Sequence, residues 1–149
     1  MVVVMPLTRF LDAAPGRAVR HAHRWRDHMA YVDGFLLPLP KRKVAEYQRI
    51  ARKAGKVWRE HGALEYRECV GDDLNVKGMG APFPRRAKAR PGETVVFSWI
   101  VYKSRAHRDR VNARVMKDPR LAEMMQDPRS MPFDVKRMAY GGFKVIVDL

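Results

Sequence analysis

The sequence predicts an α+β domain of ferredoxin-like order, strand–helix–strand–strand–helix–strand, with a four-stranded antiparallel sheet. Three observations predict it. Stretches that alternate with the period of a strand are interleaved with two stretches that repeat at three and four residues. Turn-forming glycines and prolines fall between them. The strand-like run at 94–103 is apolar on both faces, broken only by Ser98. Two helices cover one face of such a sheet, and a face left in water should alternate apolar with polar. A second copy of the same sheet is the simplest cover, so the sequence predicts a two-fold homodimer.

Residues 1–28 carry Arg9, Arg17, Arg20, Arg24 and Arg26 against Asp12 and Asp27, with His21, His23 and His28. No period is sustained there, and the text changes at Met29. The expectation is a basic extension over 1–28, flexible or preceding the native start, and a domain over 29–149. The first strand is expected over Tyr31–Leu37, closed by Pro38 and Pro40, which donate nothing to a ladder. A long helix follows over Lys43–His61. Val44, Tyr47, Ile50, Ala51, Ala54, Val57, Trp58 and His61 make one apolar stripe on it, and Gly62 suits its left-handed end.

The second strand is expected over Leu64–Val70 and a long basic loop over 71–93. The third strand, Thr94–Lys103, presents Val95, Phe97, Trp99 and Val101 on one face and Val96, Ile100 and Tyr102 on the other. Ser104 is a good cap for a second helix that runs to about Lys117. Asp118-Pro119 and Asp127-Pro128 break the chain into short turns. Gly141-Gly142 then opens a last strand over Phe143–Asp148.

The 149 residues suit one domain, and the 46% apolar and 31% charged fractions are those of a globular chain. Cys69 is the only cysteine, which excludes an intrachain disulfide and suits a reducing, cytoplasmic location. No apolar run approaches the ~20 residues of a membrane helix. The formal charge of +14 predicts non-specific attraction to nucleic acid at low salt. GxGxxG, a Walker loop, CxxC and HExxH do not occur, so neither a cofactor nor a metal is expected.

Four stretches, YVDGFLLPLP (31–40), ARKAGKVWREHGALEYRECVGDD (51–73), VVFSWIVYKSRAHRDRVNARVMKDPR (95–120) and MPFDVKRMAYGGFKVIVDL (131–149), are long and idiosyncratic. On them the chain from Met29 resembles the YbaA-like family of uncharacterised bacterial proteins, in the dimeric α/β-barrel superfamily. Residues 1–28 and the loop around Val76–Gly80 depart from its pattern. The resemblance implies a ferredoxin-like protomer and a homodimer whose sheets pack face to face. It implies no single activity. The wider superfamily holds cofactor-free monooxygenases, isomerases, haem enzymes and effector-binding modules, and some relatives carry a name linking them to signal-recognition-particle RNA.

Candidate chemistry falls in four places. His107 and Asp109 open the second helix, where the helix terminus favours a neutral imidazole that can act as a base. The alternative is a helix-end contact. Tyr47, Trp58 and His61 on the first helix, with Phe97 and Trp99 on the third strand, would line a cleft for a flat organic ligand, or simply pack as core. Asp134–Met138 with Met124, Met125 and Met131 reads as a lid or a dimer contact. Arg85, Arg86, Lys88 and Arg90 form an anion-binding candidate, without interleaved aromatics to stack on bases. The function expected is binding of a small organic molecule, with cofactor-free monooxygenase or isomerase chemistry open. The alternative is a nucleic-acid- or anion-binding module.

Overall fold

The computed structural model describes residues 29–78 and 80–149; the expectations for 1–28 lie outside them. β1 (Tyr31–Pro40) leads through a 3-10 turn, Lys41–Lys43, into α1 (Val44–Glu60). β2 (Glu65–Val70), α2 (Phe83–Arg86), β3 (Glu93–Tyr102), α3 (Arg105–Met116), α4 (Pro119–Met125) and β4 (Ala139–Lys144) follow. The sheet is four-stranded in the order β2-β3-β1-β4, with every neighbouring pair antiparallel.

Three boundaries differ from the sequence expectation, each for a local reason, and where the sequence predicts short turns after Asp118 the chain forms the seven-residue α4, capped by Asp118. β1 does not stop at Leu37 but runs through both prolines, pairing Pro38 with Val95 and Pro40 with Glu93. β4 pairs with β1 only as far as Leu36, so past that point β1 is an edge on one side and a missing N–H costs nothing there. The basic loop is not all loop, because Phe83–Arg86 wind into a short helix started by two prolines. The last strand lies at Ala139–Lys144, not Phe143–Asp148. Gly141 and Gly142 do not open it but lie inside it, opposite Gly34 and Asp33. The Tyr31 ring lies over Gly142, where a side chain would collide with its hydroxyl, and the Phe143 ring crosses Gly34. Val145 still donates to the Ala30 carbonyl, but Ile146 and Val147 are exposed.

α1 packs by close approach. A Cβ on Gly55 would sit 2.7 Å from the Tyr66 ring of β2, so only glycine allows this separation. Gly62 ends the helix at a φ of 114°, as expected, and Ala63 N–H reaches back to the Trp58 carbonyl. Ser104 caps α3 by accepting from the His107 N–H, and Asp118 caps α4 by accepting from that of Arg120.

The alternation of β3 sorts the two faces of the sheet. Val96, Ser98, Ile100 and Tyr102 face the helices and are buried. Val57, Ala63, Ile100, Tyr102, Val111, Val115 and Leu121 form the main cluster, and Leu37, Leu39 and Val96 a second under Tyr47 and Phe133. The other face carries Val32 and Leu36 of β1, Phe97, Trp99 and Val101 of β3, and Phe143 of β4. Phe97 is 46% exposed and Phe143 60%. On that face α2 sets Phe83 against Phe97, with ring centres 5.9 Å apart.

Candidate functional site

The stripe of α1 does not seal against the sheet. Tyr47, Ile50, Ala51, Ala54 and Trp58 form one wall of a cavity of about 370 Å3. Phe35, Leu37, Ser98 and Ile100 of the sheet form its floor. Met116, Met124, Met125, Met131, Phe133, Val135 and Met138 form the far wall. Unbranched methionines adapt to the shape beside them, so this wall suits a guest better than a rigid one would. The Asp134–Met138 segment therefore contributes to the cavity. Asp134 caps its own 3-10 turn, and Arg137 ties the segment down through a two-point ion pair to Glu93 and a bond to the Lys88 carbonyl.

One end of the cavity is polar. Asp33 of β1 is 1% exposed and lies among the apolar residues of the helix-covered face. Asn112 of α3 donates to its Oδ2 at 3.3 Å, and the Asn112 oxygen accepts from Trp58 Nε1 and from the Tyr102 hydroxyl, both at 3.0 Å. Arg108 of α3 stands over the Tyr31 ring and donates to the Tyr31 hydroxyl. Its Nε lies 3.7 Å from Asp33 Oδ1 and 3.1 Å from Asp109 Oδ1. Among the described residues Asp33 Oδ1 and Arg108 Nε are both buried without a well-formed hydrogen bond, and Arg108 Nε has the ion pair to Asp109. Burial raises the Asp33 carboxyl above the usual carboxylate range, against the opposing pull of Asn112 and Arg108. A carboxyl in that condition can hold or release a proton closer to neutrality than an exposed one.

The structure divides the residues that the sequence singled out. Tyr47 and Trp58 line the cavity. Phe97 and Trp99 do not, because odd positions of β3 point to the opposite face, where their rings pack on each other at 5.6 Å. The five residues therefore do not form one cleft. His61 turns away to Asp118, 2.8 Å from its Oδ2, and that carboxylate is tied also to Arg120. His107 accepts a bond from the Lys103 N–H and meets the Tyr102 ring edge-on. Burial, helped by Lys103, Arg110 and Arg114, lowers its pKa, and the residue lies outside the cavity lining. Asp109 pairs with Arg108 rather than with His107. Arg85, Arg86, Lys88 and Arg90 are exposed around α2.

Sequence reasoning missed Asp33, Arg108 and Asn112. A signal for Asp33 existed: it has the same parity as Phe35, Leu37 and Leu39, so the strand expected there carries it to the buried face. Asn112 and Arg108 are four apart and share a helix face beside Val111 and Val115, which also reads as buried.

A family model described as a protein of unknown function, DUF1428, matches residues 30–135. The chain is 45% identical over 120 residues to the uncharacterised protein YbaA of Escherichia coli K12, covering 80% of this chain and 99% of that protein. The same figures hold for YbaA of Shigella flexneri. Among solved structures, a de novo designed protein, Foldit4, aligns over 80% of this chain and 99% of its own at a TM-score of 0.41 and 13% identity.

Proposed function

The chain belongs to the DUF1428 family of proteins of unknown function, and we propose that it is the ferredoxin-like protomer of a homodimer that binds a small organic molecule between α1 and the sheet. The observation that carries this reading is the cavity of about 370 Å3, apolar along its length and ending at a buried carboxyl. Ligand sites have this form: an apolar room with a few convergent polar groups. A group whose proton affinity is raised by burial is also what cofactor-free proton-transfer chemistry needs, so isomerase-like or monooxygenase-like turnover is consistent with the same site. The sheet order supports the ferredoxin-like protomer, and the uncovered face of β1, β3 and β4 supports the dimer.

The test is a thermal-shift screen of flat, weakly polar molecules against the full chain, repeated on Ala54→Phe, which fills the cavity from α1. The reading expects at least one scaffold to raise the melting temperature of the wild type and not that of the filled variant. Ligands that stabilise both equally would contradict it.

A further inference from the structure

Among the described residues, two buried polar atoms, one on Asp33 in the cavity lining and one on Arg108 beside it, have no hydrogen-bond partner, and their characters are opposite. Asp33 Oδ1 is an acceptor and Arg108 Nε a donor. Both are cut off from water, a costly condition for a carboxylate and a guanidinium, and at 3.7 Å they are too far apart to satisfy each other. Arg108 Nε has the Asp109 carboxylate at 3.1 Å, so Asp33 Oδ1 is the atom left without a partner at that range. The Asn112 oxygen takes Trp58 and Tyr102, and its nitrogen donates to Asp33 Oδ2 rather than to Oδ1.

Resting on the cavity reading above, we propose that the ligand is a flat apolar molecule carrying a hydroxyl group, and that this hydroxyl donates to Asp33 Oδ1. A hydroxyl donates to Oδ1 and, being neutral, brings no charge beside the Arg108 guanidinium 3.7 Å away. An ammonium would satisfy Asp33 but would crowd the guanidinium. A carboxylate or phosphate would face Asp33 and Glu68, both of which line the cavity. The approach is past Tyr140, which is 55% exposed, lines the cavity and stacks on Phe35. Its hydroxyl is held by Arg108 at 3.5 Å, the outer limit of a hydrogen bond, so the ring gives way at small cost.

The probes are 2-naphthol and 2-methoxynaphthalene, which share a ring system but differ in that the ether cannot donate. Dissociation constants are measured by calorimetry on the full chain and on Asp33→Asn. In that variant Asn112 continues to donate to the side-chain oxygen, so an amide nitrogen replaces the free acceptor. The wild type should bind the naphthol at least about tenfold more tightly than the ether, the effect of one bond to a charged group. In D33N the gap should close. Equal affinity of the two probes for the wild type overturns the hydroxyl assignment and leaves the cavity reading standing. A gap that survives in folded D33N overturns the role of Asp33. Binding of neither probe overturns the cavity reading together with this inference. The wild-type comparison decides the hydroxyl assignment even if D33N does not fold.

Discussion

Asp33 is a carboxyl in a place that disfavours charge. Desolvation outweighs Asn112 and Arg108 and raises its pKa in the folded protein above the unfolded value of 3.8. The folded state therefore holds this proton more tightly than the unfolded state does. Ionising Asp33 costs stability: the cost is absent below the unfolded value and complete above the folded one. Asp33→Asn does not titrate at that position. Its melting temperature relative to the wild type should therefore move in the variant's favour as pH rises from 4 through the folded pKa. A difference that stays constant with pH would contradict the burial of an ionisable group there. The identity of this residue was legible only in part. The parity of β1 gives its face, but no local pattern says that Asn112 and Arg108, more than seventy residues later, come to meet it.

At the scale of elements, the segment that closes the cavity is held by Glu93 and Arg137. The bidentate bond from Arg137, with further help from the Arg90 backbone, lowers the Glu93 carboxyl to about 2. This contribution is present above the unfolded value of 4.5 and is lost as pH falls through about 2. Glu93→Gln should lower the melting temperature at pH 7 by a few degrees, and the difference should shrink as pH approaches 2. Gly55→Ala weighs two effects against each other. Alanine gains about 1 kcal/mol of helix propensity, but its methyl would lie 2.7 Å from the Tyr66 ring, and overpacking of that kind costs about 1–3 kcal/mol. The expected result of chemical denaturation is a net loss of stability. A gain would mean that α1 can ride higher on the sheet. The order of the strands and of the two principal helices was legible because their periods differ. The last strand was displaced because Gly141-Gly142 has the local look of a turn. Its reason to be in a strand is the Tyr31 ring across the sheet, which no short stretch of sequence reveals. Likewise, Pro38 and Pro40 look like a stop unless one knows that β4 has already ended beside them.

Among the described residues, one face of the sheet lies under helices and the other is largely bare. An exposed Phe97 and Phe143 among Val32, Leu36 and Val101 make an apolar surface of the kind that pairs with its own copy. Light scattering at micromolar concentration should give twice the chain mass, and Phe97→Asp should give the single mass with the protomer still folded. A wild-type monomer would contradict the dimer. The charge of +14 predicts a separate behaviour. Binding to RNA should fall about a hundredfold between roughly 50 and 200 mM salt, as counterion release fades, and alike for all sequences. One RNA retained tightly at the higher salt would favour a nucleic-acid function over the cavity.

The sheet separates two tryptophans, Trp58 bonded to Asn112 at the cavity and Trp99 on the bare face. Their indole N–H signals in a proton–nitrogen correlation spectrum therefore report on the two sides independently. Titrating 2-naphthol into the labelled full chain tests the central claim, that the ligand site lies between α1 and the sheet. The Trp58 indole and the Asn112 side-chain amide should shift together and saturably while Trp99 stays in place. Movement of Trp99 with Trp58 unmoved, or no movement of either, would contradict it.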